Sequence, residues 1–134
     1  MPRTARRAIP PLGELEQAVL EYLWRAGHAD VAEAHAAVGA RRRITLNTVG
    51  SALERLHRKG LIARWKVSHA YQYRPAIARD TFHARRVIDA AGGLRRLASR
   101  GLLAAFVDLV GETSDEALDE LEALIARRRK DGKP

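Results

Sequence analysis

A mainly α-helical chain interrupted by one short β-hairpin is what the 134-residue sequence predicts. Three observations carry that expectation. Apolar residues recur at i, i+3, i+4 and i+7 through most of the chain, the period falls to two only between Leu61 and Arg74, and a glycine or proline stands near each change of pattern.

Taken in order, residues 1–11 hold Arg3, Arg6, Arg7, Pro10 and Pro11 with little that is apolar, the composition of a mobile basic arm. Leu12, Leu15, Val19, Tyr22 and Leu23 then mark a first helix that ends before Gly27. Asp30 and Glu33 have the spacing of a capping box, which opens a short second helix over about Val31 to Val38, stopped at Gly39. Thr45 is the expected N-cap of a third helix that runs to Lys59 and stops at Gly60. On it Val49, Ala52, Leu53 and Leu56 form the inward stripe, leaving Asn47, Thr48, Gly50, Ser51, Glu54, Arg55 and Arg58 outside. After Gly60, Leu61, Ala63, Trp65 and Val67 alternate with Ile62, Arg64 and Lys66; Tyr71 and Tyr73 alternate with Gln72 and Arg74; Ser68 and His69 make the turn and Pro75 ends the second strand.

Three short helices followed by a basic hairpin are the order of a winged helix-turn-helix. The expected domains are therefore a basic arm over 1–11, a winged-helix domain over 12–78 and an all-helical dimerisation region over 79–134. In the last, Ala84, Val87, Ile88 and Ala91 form one stripe before Gly92 and Gly93, and Leu94, Leu97, Leu102, Leu103, Phe106, Val107 and Val110 supply a second. Thr113 with Glu116 is a capping-box candidate for the last helix, whose stripe is Leu118, Leu121, Leu124 and Ile125 and whose end carries Arg127 to Lys130 at the negative pole of the helix dipole. So small a helical region rarely buries its stripes alone. With no cysteine in the chain to staple it, the expected partner is a second copy. Val87, Ile88, Leu97, Leu103, Phe106, Val107, Leu118, Leu121 and Leu124 are the expected dimer contacts.

The charge is distributed unevenly. Between Arg41 and Arg79 stand ten basic residues and a single acid, Glu54, whereas residues 81–134 carry ten basic and nine acidic groups. A dense field of one sign attracts polyanions, and nucleic acid is the commonest in a cell. No apolar run approaches the roughly 20 residues that span a bilayer, and residues 1–11 lack the apolar centre of a secretory signal. A soluble cytoplasmic protein without a membrane partner is expected.

Only the first turns of a recognition helix closely approach base edges. Asn47, Thr48 and Ser51 are accordingly the base-contact candidates, Asn47 matching an adenine edge and Gly50 allowing close backbone approach. For Thr48 a cap bond back to Thr45 is the equal alternative. Arg41, Arg42, Arg43, Arg55, Arg58, Arg64, Lys66 and Arg74 are the candidates for the DNA backbone, about half of them expected to touch it. Trp65, Tyr71 and Tyr73 suit packing better than a single-strand stacking platform. The five histidines include no i, i+4 pair, so no metal site is expected, and no nucleophile elbow, phosphate loop or zinc-protease motif is present. Neither enzymatic activity nor a cofactor is expected.

Three stretches carry a resemblance: Leu12 to Trp24 (LGELEQAVLEYLW), Thr45 to Ile62 (TLNTVGSALERLHRKGLI) and Ala70 to Pro75 (AYQYRP). Together with a helical tail of this length, they resemble the BlaI/MecI/CopY penicillinase-repressor family over about residues 12–126. The resemblance implies a homodimeric transcriptional repressor on a pseudo-palindromic double-stranded DNA operator, with recognition contacts on Asn47, Thr48 and Ser51. Members commonly carry a longer basic side chain where this chain has Gly50. It also implies an inactivating protease as a partner, cleaving at a place that aligns with Ala105 and Phe106; Ala105 stands where some relatives have Asn. Copper-responsive relatives use cysteine pairs in the tail, so the absence of cysteine excludes that route. Two other readings remain open at this point: a MarR-like ligand-responsive regulator, and an architectural protein that coats nucleic acid without sequence choice.

Overall fold

The computed structural model describes residues 8–132. The chain divides after Asp89 into two compact units.

In the first unit α1 (Glu14–Ala26), α2 (Val31–Ala34) and α3 (Leu46–Arg58) pack around one core, followed by β1 (Ile62–Val67), β2 (Ala70–Pro75) and α4 (Arg79–Ala90). Gly27 at φ 89° and Gly60 at φ 78° end α1 and the turn after α3, a backbone state that costs residues with a Cβ about 1 kcal/mol or more. The expected capping box is formed: the Glu33 amide donates to Asp30 Oδ1 at 2.8 Å and the Asp30 amide to Glu33 Oε1 at 2.9 Å. The second helix ends differently from the expectation of one regular helix to Val38. It passes into a π-helical turn over His35–Gly39, whose widened geometry brings His35 Nε2 to donate to the Ile44 carbonyl at 2.7 Å and so braces the loop before α3.

The inward stripe of α3 is the one expected: Val49, Ala52, Leu53 and Leu56 are fully buried against Val19, Leu20 and Leu23 of α1. Burying each valine or leucine of this set contributes roughly 1.5–3 kcal/mol, which fixes the rotation of α3 and therefore the direction of its opposite face. The hairpin is antiparallel, with Ile62 opposite Pro75, Arg64 opposite Tyr73 and Lys66 opposite Tyr71. An isolated bridge between Ala29 and Tyr73 ties it to the segment before α2.

Two sequence expectations are modified in this unit. Over 8–11 the arm is held, because the Ile9 amide donates to Asp89 Oδ2 at 2.8 Å and the Pro11 carbonyl accepts from Lys59 Nζ at 2.9 Å; residues 1–7 lie outside the described residues. And α4, expected to open the dimerisation region at residue 79, belongs to the first unit. Phe82 is 1% exposed, stacked edge-on to Trp24 at 5.3 Å, while Trp24 Nε1 donates to the Ile77 carbonyl at 3.0 Å.

The second unit contains α5 (Leu94–Leu97), α6 (Arg100–Thr113) and α7 (Asp115–Asp131). Its last helix is capped by Ser114 and not by Thr113. Ser114 Oγ accepts from the Ala117 amide at 3.0 Å. Thr113 is still helical and turns its hydroxyl back to the Leu109 carbonyl at 2.9 Å, so the N-cap register begins one residue later than the Thr113–Glu116 spacing suggests. Val107 of α6 and Leu118, Leu121 and Ile125 of α7 line an apolar groove of about 190 Å³. No described residue of this unit is fully buried, although Leu102, Leu103, Phe106, Val107, Leu124 and Ile125 all lie on it.

Candidate nucleic-acid interface

Residue by residue, the site grows from the N-terminus of α3. Thr45 is extended at its cap position, and its hydroxyl accepts from the Thr48 amide at 3.2 Å while sharing a 2.9 Å bond with the Thr48 hydroxyl. The alternative reading of Thr48 as a cap partner is therefore the one seen, and its side chain nonetheless stays exposed. Asn47 and Ser51 are exposed beside half-buried Gly50. These three share one open groove, about 410 Å³, with Val31, Leu46, Glu54 and Tyr73. Adding a Cβ at Gly50 would meet only Val31 Cγ2 at 3.6 Å, an ordinary contact, so the glycine keeps the centre of that face low without being required by packing.

The basic residues form two groups that overlap at Arg42. Arg41, Arg42, Arg43, Arg58, Lys66 and Arg74 are exposed on the first unit, Lys66 and Arg74 beside the Tyr71 and Trp65 rings. Arg42, Arg55 and Arg64 have intramolecular partners: the Arg42 guanidinium donates to the Val38 carbonyl at 2.9 Å, Arg55 meets Glu16 at 3.4 Å and Arg64 meets Glu54 at 2.5 Å. Lys59, which the sequence did not single out as a contact, also binds Glu16, at 2.5 Å.

Glu16 is 6% exposed. Burial opposes its ionisation, but the Lys59 ammonium, the Gly13 amide and the Arg55 guanidinium outweigh that cost and hold its carboxyl below the ordinary glutamate value. The acid thus draws two cations of α3 back toward α1. Burial raises the Tyr73 phenol, against the opposing bond from Arg64 and with the Glu54 charge adding to the rise.

The wing departs from the packing expectation for its aromatics. Tyr73 is buried, but Trp65 is 38% and Tyr71 39% exposed. The register accounts for Trp65, and position along the hairpin for Tyr71, which shares the face of Tyr73 but lies toward the exposed turn. Cross-strand partners share a face, so Ile62, Arg64 and Lys66 lie with Tyr73 and Tyr71, and the apolar-looking series Ala63, Trp65 and Val67 falls on the opposite side. Tyr71 stacks beneath the Arg64 guanidinium at 4.4 Å, Arg74 lies 5.7 Å from the Trp65 ring, and His28 meets Trp65 edge-on at 5.9 Å. Both exposed rings are thereby surrounded by cationic or imidazole groups.

Of the expected dimer contacts, Val87 and Ile88 lie on α4, and Leu97, Leu103, Phe106, Val107, Leu118, Leu121 and Leu124 lie on α5 to α7; Ala105 and Phe106 sit inside α6, both exposed. Among the described residues there is no cluster of histidines and carboxylates able to hold a metal, and no helix long and apolar enough to cross a membrane.

The penicillinase repressor family model matches residues 12–127. The chain is 36% identical over 118 residues to the transcriptional regulator BlaI of Mycobacterium tuberculosis, an alignment covering 84% of this chain and 86% of that one. Among solved structures, the YusO protein of Bacillus subtilis matches at TM-score 0.44 and 18% identity, covering 89% of this chain and 75% of that one. A MarR family protein of Bacillus stearothermophilus matches at TM-score 0.44 and 20% identity, covering 91% and 76%. With a winged helix-turn-helix, a basic face and a family match over nearly its whole length, the chain belongs to the penicillinase repressor family and is a DNA-binding transcriptional regulator of the BlaI type.

Proposed function

We propose that the chain acts as a homodimeric repressor that recognises a pseudo-palindromic operator, α3 of each copy entering a major groove and the wing lying along adjacent backbone. The observation that carries this reading is the rotation of α3. Its apolar stripe is fully buried, and the opposite face presents Asn47, Gly50 and Ser51 at the floor of an open groove among exposed arginines. Small and amide side chains at the centre read base edges, while Arg41, Arg43, Arg58, Lys66 and Arg74 around them reach phosphates.

The dimer is supported by the second unit, which carries a series of exposed apolar residues and no fully buried one. Apolar area of this kind is the substance of an obligate interface. Release follows cleavage in α6 at Ala105–Phe106. Because that pair is helical, a protease acts on a locally opened form of the helix.

Footprinting on the DNA upstream of its own reading frame tests the proposal. An inverted repeat with half-sites about one helical turn apart, or a multiple of that, is expected, and operator affinity should fall with salt at a log-log slope of about −0.9 per phosphate neutralised. Equal protection of random and upstream DNA at every salt concentration overturns it.

A further inference from the structure

Glu54 is the single acid among ten basic residues between Arg41 and Arg79, a carboxylate set in a field of the opposite sign. It shares the groove of Asn47, Gly50 and Ser51, which with Glu54 follow the i, i+3, i+4, i+7 spacing of one helix face. Its Oε2 is bound by Arg64 at 2.5 Å, and the Arg64 guanidinium is itself backed by the Tyr71 ring at 4.4 Å. The side chain remains 43% exposed. A cation braced from behind thus fixes one carboxylate oxygen and offsets the charge, and the group stays open on the base-reading face.

We infer that Glu54 is a specificity-determining residue of the DNA interface, accepting a hydrogen bond from the exocyclic amino group of a cytosine in the major groove. An ionised carboxylate only accepts. On the major-groove edge, guanine offers O6 and N7 and thymine offers O4, all acceptors that repel it; adenine sets its N7 acceptor beside the N6 amino group; cytosine alone offers a donor with no acceptor of its own alongside. Glu54 begins the third turn of α3, beyond the turns that approach base edges most closely, and its longer side chain spans that gap across the low floor made by Gly50 and Ser51. Seven residues of helix separate Asn47 from Glu54 by about 10 Å, close to three base steps of roughly 3.4 Å. The cytosine therefore belongs within about three steps of the adenine paired with Asn47. The inference rests on the proposed reading of the chain as a sequence-specific DNA binder.

Selection from a randomised duplex library by the full chain, followed by affinity measurements with each preferred base pair replaced in turn, tests it. The wild-type chain should prefer cytosine at one position of each half-site. Glu54→Gln, whose amide both donates and accepts, should reduce that preference by about fivefold or more and shift it toward adenine, leaving the other positions unchanged. Glu54→Asp, one methylene shorter, should weaken the same preference with no new base favoured. Arg64→Ala should keep the cytosine but weaken binding across all sequences. A Glu54→Gln chain that retains wild-type preferences at every position, or that gains affinity uniformly on all of them, overturns the inference and leaves the proposed function standing. A wild-type chain with no preference anywhere overturns both.

Discussion

Lys59 Nζ, at the end of α3, lies 2.5 Å from Glu16 Oε2 in the first turn of α1. The same carboxylate accepts from the Gly13 amide at 3.5 Å and from Arg55 at 3.4 Å, and Lys59 also donates to the Pro11 carbonyl. One buried acid therefore joins the start of α1 to the end of α3, and Lys59 carries the link on to the preceding segment at Pro11.

Glu16→Gln should destabilise the first unit by about 1–3 kcal/mol, because Lys59 loses the counter-charge of a buried acid, whereas Arg55, 42% exposed, is screened by solvent. The effect is pH-dependent with a definite sign. Folding holds the Glu16 carboxyl below its ordinary value, so its contribution is present in full above about pH 4.3, the unfolded value, and is lost as pH falls through the lower folded value. The difference in urea-unfolding free energy between wild type and Glu16→Gln should shrink over that acid interval. A difference that grows on acidification would show that the ion pairs are not its source.

Gly39→Ala places a Cβ 2.6 Å from His35 Cδ2 and 2.8 Å from Val49 Cγ2. Gly39 is buried in the π-helical turn and has no room to yield without moving α3 or breaking the His35–Ile44 bond, so a loss of about 1–3 kcal/mol is expected. Gly111→Ala, whose Cβ would lie 3.6 Å from Leu118 Cδ2 inside α6, should instead gain roughly 0.5–1 kcal/mol. Thermal unfolding of the two variants should show shifts of opposite sign.

Phe106→Glu should convert the proposed dimer to monomer. Phe106 is 45% exposed and shares the second unit with Leu103, Val107 and Leu124, all exposed. A carboxylate facing its own copy across an apolar contact should weaken association by roughly 30-fold or more. Sedimentation velocity over a concentration series reads the change, and far-ultraviolet circular dichroism verifies that the helices persist. A wild-type chain that sediments as a monomer throughout removes the basis of the prediction.

Local chemistry wrote most of the first unit into the sequence. The Asp30–Glu33 box, the Thr45 cap, the glycines after α1 and α3 and the α3 stripe each depend on residues within one or two turns of one another, which is why spacing alone exposed them. The same holds for Asn47 and Ser51, whose outward direction follows once the buried stripe of α3 is known.

What the sequence could not contain was the outcome of contacts between distant segments. Nothing in the alternation of the wing says which face meets the core; the bridge from Ala29 to Tyr73 and the pairing of Arg64 with Tyr73 decide it, and they turn Trp65 outward and Arg64 toward Glu54. Likewise the composition of the arginines does not distinguish Arg55 and Arg64, engaged by acids 39 and 10 residues away, from Arg58 and Arg74, which stand exposed. Periodicity and local spacing therefore determined most elements of the first unit, the caps at Asp30 and Thr45 and the outward face of α3, but neither the π-helical turn nor the start of the last helix. Long-range packing and pairing determined which charges that face keeps for a polyanion, because desolvation and counter-charge depend on neighbours that only the folded chain brings together.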